Sequence, residues 1–334
     1  MRRRWVLALT MVTLLGLAML PDEAATQAAD KVTLQLKWVT QAQFAGYYAA
    51  KARGFYAAEK LDVAIRPGGP DIVPEQVVAG GGAQFGIDWL PSLLSARDQG
   101  APLTNIAQVF AYSGMREIAF KSSGIKGPAD LRGRKVAVWF GGNEFELLAT
   151  LEKYKIDRNK DVTLVQQPFD MNLLLQKQVD AAAAMTYNEY KQVLDAGVKP
   201  EDLVVIDFNR EGTAMLEDGI FVRSDWLRDA RHKAIAARFL RASLKGWEAC
   251  RDKPAECVEL VLKESPVLGR DHQTWMMTEI NKLIWGPPAP KSPLGKMDPQ
   301  AFKQTADIAL KFGVIKKAAD AGAYTHEIWE MARK

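Results

Sequence analysis

Leu34-Gln-Leu-Lys-Trp-Val-Thr-Gln-Ala-Gln-Phe-Ala-Gly-Tyr-Tyr-Ala-Ala-Lys-Ala-Arg-Gly-Phe-Tyr56 decides the fold. Val32, Leu34, Leu36 and Trp38 recur at the two-residue period of a half-buried strand, and segment 42–53 then reads as a helix that stops at Gly54. Trp38, Gln41, Gln43, Tyr47 and Tyr48 therefore fall where a strand's carboxyl end meets a helix's amino end. Ligands bind there in open α/β sheets. Aromatic side chains such as Trp38 and Tyr48 serve cores as readily as sites. The neighbouring amides favour a site, because burying Gln41 and Gln43 without partners costs free energy that water or a polar ligand relieves.

Outward from this stretch, strand and helix alternate. Strands are expected at 32–37, 61–66, 84–88 and 106–110, and a second βα series at 135–140, 162–166, 181–185 and 203–208. From Ser224 onward helices dominate. Two α/β series followed by a helical tail imply two lobes with a cleft between them, residues 30–120 and 219–334 forming lobe 1 and 121–218 lobe 2. The polar segment 121–134 reads as the first crossover and 210–219 as the return.

Three further strand-to-helix turns resemble the first. Asp88 stands as a helix N-cap with Trp89 behind it, and both are candidate ligand contacts. Gly141 and Gly142 permit close backbone approach before Asn143, a candidate cap, and Glu144. Tyr187 and Glu189 follow the strand at 181–185, where Glu189 reads either as a solvated first-turn acid or as an acceptor for a ligand's amino group. The chain carries no G-x-G-x-x-G, Walker loop, nucleophile elbow or H-E-x-x-H.

Residues 1–29 read as a secretory signal peptide: Arg2 to Arg4 form the basic region, and an apolar run of roughly fifteen residues follows. Export to the periplasm as a soluble protein is the expectation. With 44 basic and 40 acidic residues the net charge of +4 is too mild and too scattered for a nucleic-acid protein. Cys250 and Cys257 are the only cysteines. A helix break at Pro254 would let them bond across a hairpin, whereas one continuous helix would hold them too far apart. His232, His272 and His326 lack ligand spacing, so no metal site is expected.

Trp38-x-x-Gln-Ala-Gln-Phe-Ala-Gly-Tyr-Tyr48, Gly54-Phe-Tyr56, Pro67-Gly-Gly69, Gly80-x-x-x-Gln-Phe-Gly-Ile87 and Gly141-Gly-Asn-Glu144 together resemble the NMT1/THI5-like solute-binding proteins of ABC importers. The resemblance implies a type II periplasmic binding protein fold, two α/β lobes that close on a ligand. It further implies a small-molecule ligand and an inner-membrane ABC permease as partners, with a monomeric chain, no cofactor and no catalysis. Similar proteins take up thiamine-precursor pyrimidines, riboflavin, or sulfonates and nitrate. A pyrimidine synthase of the same family uses a cysteine-rich motif that has no counterpart here. On this reading Trp38, Tyr47 and Trp89 wall an aromatic heterocycle of the pyrimidine type. Gln43, Asp88, Asn143 and Glu189 orient it, and Gly141, Gly142, Glu144 and Tyr187 complete the site. A riboflavin, alkanesulfonate or nitrate ligand is the alternative.

Overall fold

The computed structural model describes residues 28–140 and 142–334, so the expected signal peptide lies almost wholly outside the described residues, as does Gly141. Among the described residues ten strands form two five-stranded sheets. The first contains β1 (Asp30–Gln35), β2 (Leu61–Arg66), β3 (Phe85–Asp88), β4 (Leu103–Gln108) and β10 (Gly219–Arg223) in the order β2-β1-β3-β10-β4. The second contains β5 (Met115–Phe120), β6 (Lys135–Val138), β7 (Thr163–Gln166), β8 (Ala181–Met185) and β9 (Leu203–Asp207) in the order β7-β6-β8-β5-β9. β1 lies parallel to β2 and β3, and β6 parallel to β7 and β8. The one antiparallel strand flanked on both sides is β10 in the first sheet and β5 in the second. Each reaches its sheet directly after the chain has left the other one.

β5 corrects the sequence reading, which carried lobe 1 through residue 120 and placed the first crossover at 121–134. The chain passes between the sheets at residues 109–114, and Met115–Phe120 pairs with β8 and β9 inside the second sheet. Arg116 and Glu117 interrupt the apolar pattern that would have marked this strand. Glu117 is nevertheless fully buried. The return passage occupies residues 208–218, between β9 and β10.

The helix Ala45–Ala52, which carries the opening motif, is preceded by a 3-10 turn at Ala42–Phe44 and ends before Gly54, whose φ of 74° only glycine adopts readily. It crosses the long helix Ala230–Asp252 at two glycines. A Cβ on Gly46 would stand 2.2 Å from the Trp247 ring, and one on Gly246 would stand 2.0 Å from the Gly46 carbonyl oxygen. Backbone touches backbone here, which fixes the depth at which the site helix sits. The helix Arg270–Trp285 then ties both lobes to this base: Gln273 Oε1 accepts from the Ala42 N–H at 2.7 Å, and Trp275 Nε1 donates to the Thr186 carbonyl at 2.9 Å.

The cysteine alternatives are resolved by Pro254. It is the first residue of the helix Pro254–Glu264, Lys253 leaves helical geometry, and Cys250 and Cys257 are bonded with Cα atoms 5.4 Å apart.

Two outcomes are expected. Gly246→Ala should lower unfolding stability by about 1–3 kcal/mol through overpacking, read from denaturant midpoints; an unshifted midpoint would mean the two helices do not touch as described. Thiol labelling of denatured protein should gain two groups on reduction, and replacing both cysteines by alanine should cost ~2 kcal/mol for so short a loop.

Candidate functional site

Between the two sheets lies a cleft of about 730 Å³, lined from the first lobe by Lys37, Trp38, Glu75, Asp88 and Ser92 and from the second by Trp139, Phe140, Asn143, Gln166 and Phe169. Behind Trp38 it narrows to a recess of about 30 Å³ walled by Gln41, Gln43, Trp89, Tyr187 and Glu189. Lys37, Trp38, Trp139 and Asn143 line both compartments. The cleft thus stands at the carboxyl ends of β1, β3, β6, β7 and β8, where side chains leave the ladders and turn into helices.

The lobes meet at two places across the opening. The indole of Trp38 stacks on Phe169, ring centroids 5.4 Å apart and planes 11° apart. Gly142, at φ 140°, comes so near Ser92 that a Cβ there would lie 2.5 Å from its hydroxyl oxygen. A side chain at residue 142 would hold the lobes apart.

Acidic groups outnumber basic ones in the cleft. Lys37 Nζ donates to Asp88 Oδ1 at 2.6 Å, and it also stands 5.1 Å over the Trp89 ring. Burial works against the Lys37 charge, yet Asp88 together with Glu75 and Asp218 more than offsets it and the ammonium is held above its ordinary range. Glu189 is buried, accepts from the Met185 N–H at 3.0 Å and from Asn188 Nδ2 at 2.6 Å, and is pushed by burial up to about 7. Asn188 Oδ1 in turn meets His272 Nε2 at 2.7 Å.

Under the recess runs a seam of further carboxyls. Gln43 receives a hydrogen bond from Gln41 at 2.7 Å and donates to Asp218 at 2.9 Å, where burial raises the Asp218 carboxyl to about 7. Ser113 Oγ lies 2.7 Å from Glu217 Oε1 and 2.9 Å from Glu146 Oε2. One hydroxyl proton cannot serve two carboxylates. Glu217 Oε1 already accepts the N–H groups of Gly114 and Met115, so the Ser113 proton points to Glu217 and Glu146 holds its own proton. Burial and the nearby Glu217 charge push the Glu146 carboxyl well up accordingly.

A model of the family described as NMT1/THI5 like matches residues 41–257. The chain belongs to this family. It is 26% identical over 317 residues to the riboflavin-binding protein RibY of Chloroflexus aurantiacus, covering 92% of this chain and 88% of that one. Against the 4-amino-5-hydroxymethyl-2-methylpyrimidine phosphate synthase of Legionella pneumophila it is 27% identical over 266 residues, 73% of this chain and 77% of that one. The periplasmic aliphatic sulphonate binding protein SsuA of Escherichia coli superposes with a TM-score of 0.65 at 16% identity, covering 88% of this chain and 91% of that one. The fold is the type II periplasmic binding protein fold expected from the sequence.

Within this NMT1/THI5-like frame the sequence-selected residues divide. Trp38, Gln43, Asp88, Trp89, Gly142, Asn143, Tyr187 and Glu189 line the cleft or its recess. Tyr47 does not: it is buried edge-on against Trp247, centroids 5.5 Å apart, because its side of the helix faces Ala230–Asp252. Glu144 does not line it either; its carboxylate accepts the Gly142 N–H at 2.9 Å and closes the turn. Asp88 is no N-cap, since Trp89 holds that position and Asp88 is engaged by Lys37, and Glu144 rather than Asn143 stands at the cap of Phe145–Lys153. Missed were Lys37, Glu75, Ser92, Trp139 and Phe169. Phe169 follows the end of β7, so treating every strand's carboxyl end alike would have found it.

The carboxyl seam sets a pH expectation. Burial lifts Glu217 from its ordinary value of 4.5 to about 7 and lifts Glu146 in the same direction, so the folded chain holds protons that the unfolded chain releases. Their stabilising contribution is complete in acid and is lost as pH rises through the folded values. Thermal unfolding should move to lower temperature between pH 5 and pH 8, and Glu146→Gln, whose amide donates without titrating, should flatten that slope. A melting temperature that climbs across this range, equally in both proteins, would contradict the proton assignment.

Proposed function

We propose that this protein is the periplasmic solute-binding component of an ABC importer, and that it captures a nitrogenous aromatic heterocycle of the pyrimidine type in the interlobe cleft for delivery to a permease. The charge of the cleft carries this reading. Among its described lining residues Lys37 is the one cation, and Asp88 already neutralises it at 2.6 Å, while the carboxyls of Glu75 and Glu189 also face the space. A sulfonate or nitrate would enter with no free positive partner and two carboxyls nearby. A flat ring bearing N–H groups suits the same walls, with Trp38 and Trp139 supplying π faces and Glu189 and Asn143 supplying hydrogen-bonding atoms.

A flavin is the second reading, and the cavity of about 730 Å³ favours it, since a single substituted pyrimidine leaves much of that volume unfilled. The relatives named for riboflavin binding and for pyrimidine synthesis agree with a heterocycle in either case.

Calorimetry against a 4-aminopyrimidine, riboflavin and an alkanesulfonate tests the proposal. Heterocycle binding should exceed sulfonate binding, and Trp38→Ala should cost ~2 kcal/mol or more as truncated aromatic anchors do. Because a ligand N–H prefers the Glu189 carboxylate, affinity should tighten as pH rises through about 7 and fall by up to roughly tenfold per unit below it. Glu189→Gln should remove that dependence. Preferential sulfonate binding would sink the ligand assignment.

A further inference from the structure

The outer compartment of the cleft has a polar group of its own that the protein leaves unsatisfied. Its walls are largely apolar, with Ile72, Val73, Ala96 and Phe140 among them. Among these lies Glu75, from the helix Pro74–Ala79, only 2% exposed, with Oε1 lacking any hydrogen-bond partner among the described residues. A buried carboxyl oxygen without a donor bears its full desolvation cost, so native structures rarely keep one unless something supplies the donor. Lys37 does not supply it, being engaged by Asp88, and burial together with the Asp88 charge pushes the Glu75 carboxyl well up, so Glu75 stands as a neutral acid whose carbonyl oxygen can accept. Ser92 Oγ, on the helix Leu90–Asp98 of the same lobe, lines the compartment and is equally unpartnered. The volume is also lopsided: the recess behind Trp38 measures about 30 Å³ against about 730 Å³ outside it.

We propose that Glu75 is a specificity-determining residue, accepting a hydrogen bond from a hydroxyl or amino group on a side arm of the bound heterocycle, the arm lying in the outer compartment while the ring rests against Trp38. This rests on the heterocycle reading above and adds two requirements to it. The ligand carries a neutral or cationic donor arm. The phosphorylated form of the same arm is excluded, because a phosphate would meet the Asp88 carboxylate with Lys37 already paired.

Two ligand series test this by calorimetry or fluorescence titration. One is riboflavin, its 5′-phosphate and lumiflavin, which lacks the hydroxylated arm; the other is 4-amino-5-hydroxymethyl-2-methylpyrimidine, its phosphate and the 5-methyl analogue. In whichever series binds, the wild type should prefer the armed ligand over the arm-less one by roughly three- to tenfold, the range of a neutral hydrogen bond, and should reject the phosphate. Glu75→Met should erase that preference while leaving the arm-less ligand bound within about threefold. Glu75→Gln, which keeps a neutral acceptor, should retain both the arm preference and the rejection of the phosphate. Equal wild-type affinity for armed and arm-less ligands overturns the role of Glu75 without any variant having to fold, and leaves the heterocycle reading standing. Equal losses for both ligands in Glu75→Met also overturn it. Failure of the wild type to bind either series overturns both readings together.

Discussion

Both passages between the sheets converge on one buried carboxylate. Glu217, in the return passage, takes the N–H of Gly114 and the hydroxyl of Ser113 from the outward passage and the N–H of Met115 at the start of β5. Gly114 has left one sheet without entering the other and Met115 opens β5, so Glu217 supplies the acceptor at the point where the ladder begins. Asn209 adds a second tie, accepting from the Ser113 N–H at 3.3 Å and donating to the Ser113 carbonyl at 2.9 Å. The relative placement of the two lobes, and with it the width of the cleft, depends on this junction.

The site is hung from the same junction. Asp218, the neighbour of Glu217, receives the Gln43 amide, and Gln43 holds Gln41 at the start of the site helix. The Gly46–Gly246 crossing sets how deep that helix lies, and Gln273 bonds its first turn from the far side. Three independent restraints therefore fix the recess floor, whereas the outer compartment is bounded by Phe169, 51% exposed, and by the close approach of Gly142 to Ser92. A rigid floor and a yielding rim suit a cleft whose lobes separate to admit a ligand.

Electrostatics follow from burial more than from composition. A net charge of +4 says nothing of a cleft in which the sole described lining cation is already paired and carboxyls outnumber it. The low-dielectric interior raises Glu189, Glu217 and Asp218 to about 7 apiece, so protons are structural parts of this molecule near neutrality.

The sequence alone determined the alternation of strand and helix, the turns at strand carboxyl ends, and through them the neighbourhood of Trp38, Asp88, Asn143 and Glu189. These follow from local rules: a two-residue period, a glycine stop, a polar residue where a ladder ends. It could not separate Tyr47 from Trp38, since a core wall and a cleft wall leave the same apolar mark, and only packing against the distant Trp247 assigns Tyr47 to the core. Nor could it reveal β5, whose Glu117 is polar in sequence and fully buried in the sheet. Phe169, Glu75 and the Lys37–Asp88 pair were likewise decided by tertiary structure. Stacking, pairing and an unfilled hydrogen bond are relations between residues far apart in the chain, and a local period carries no record of which distant side chain will arrive.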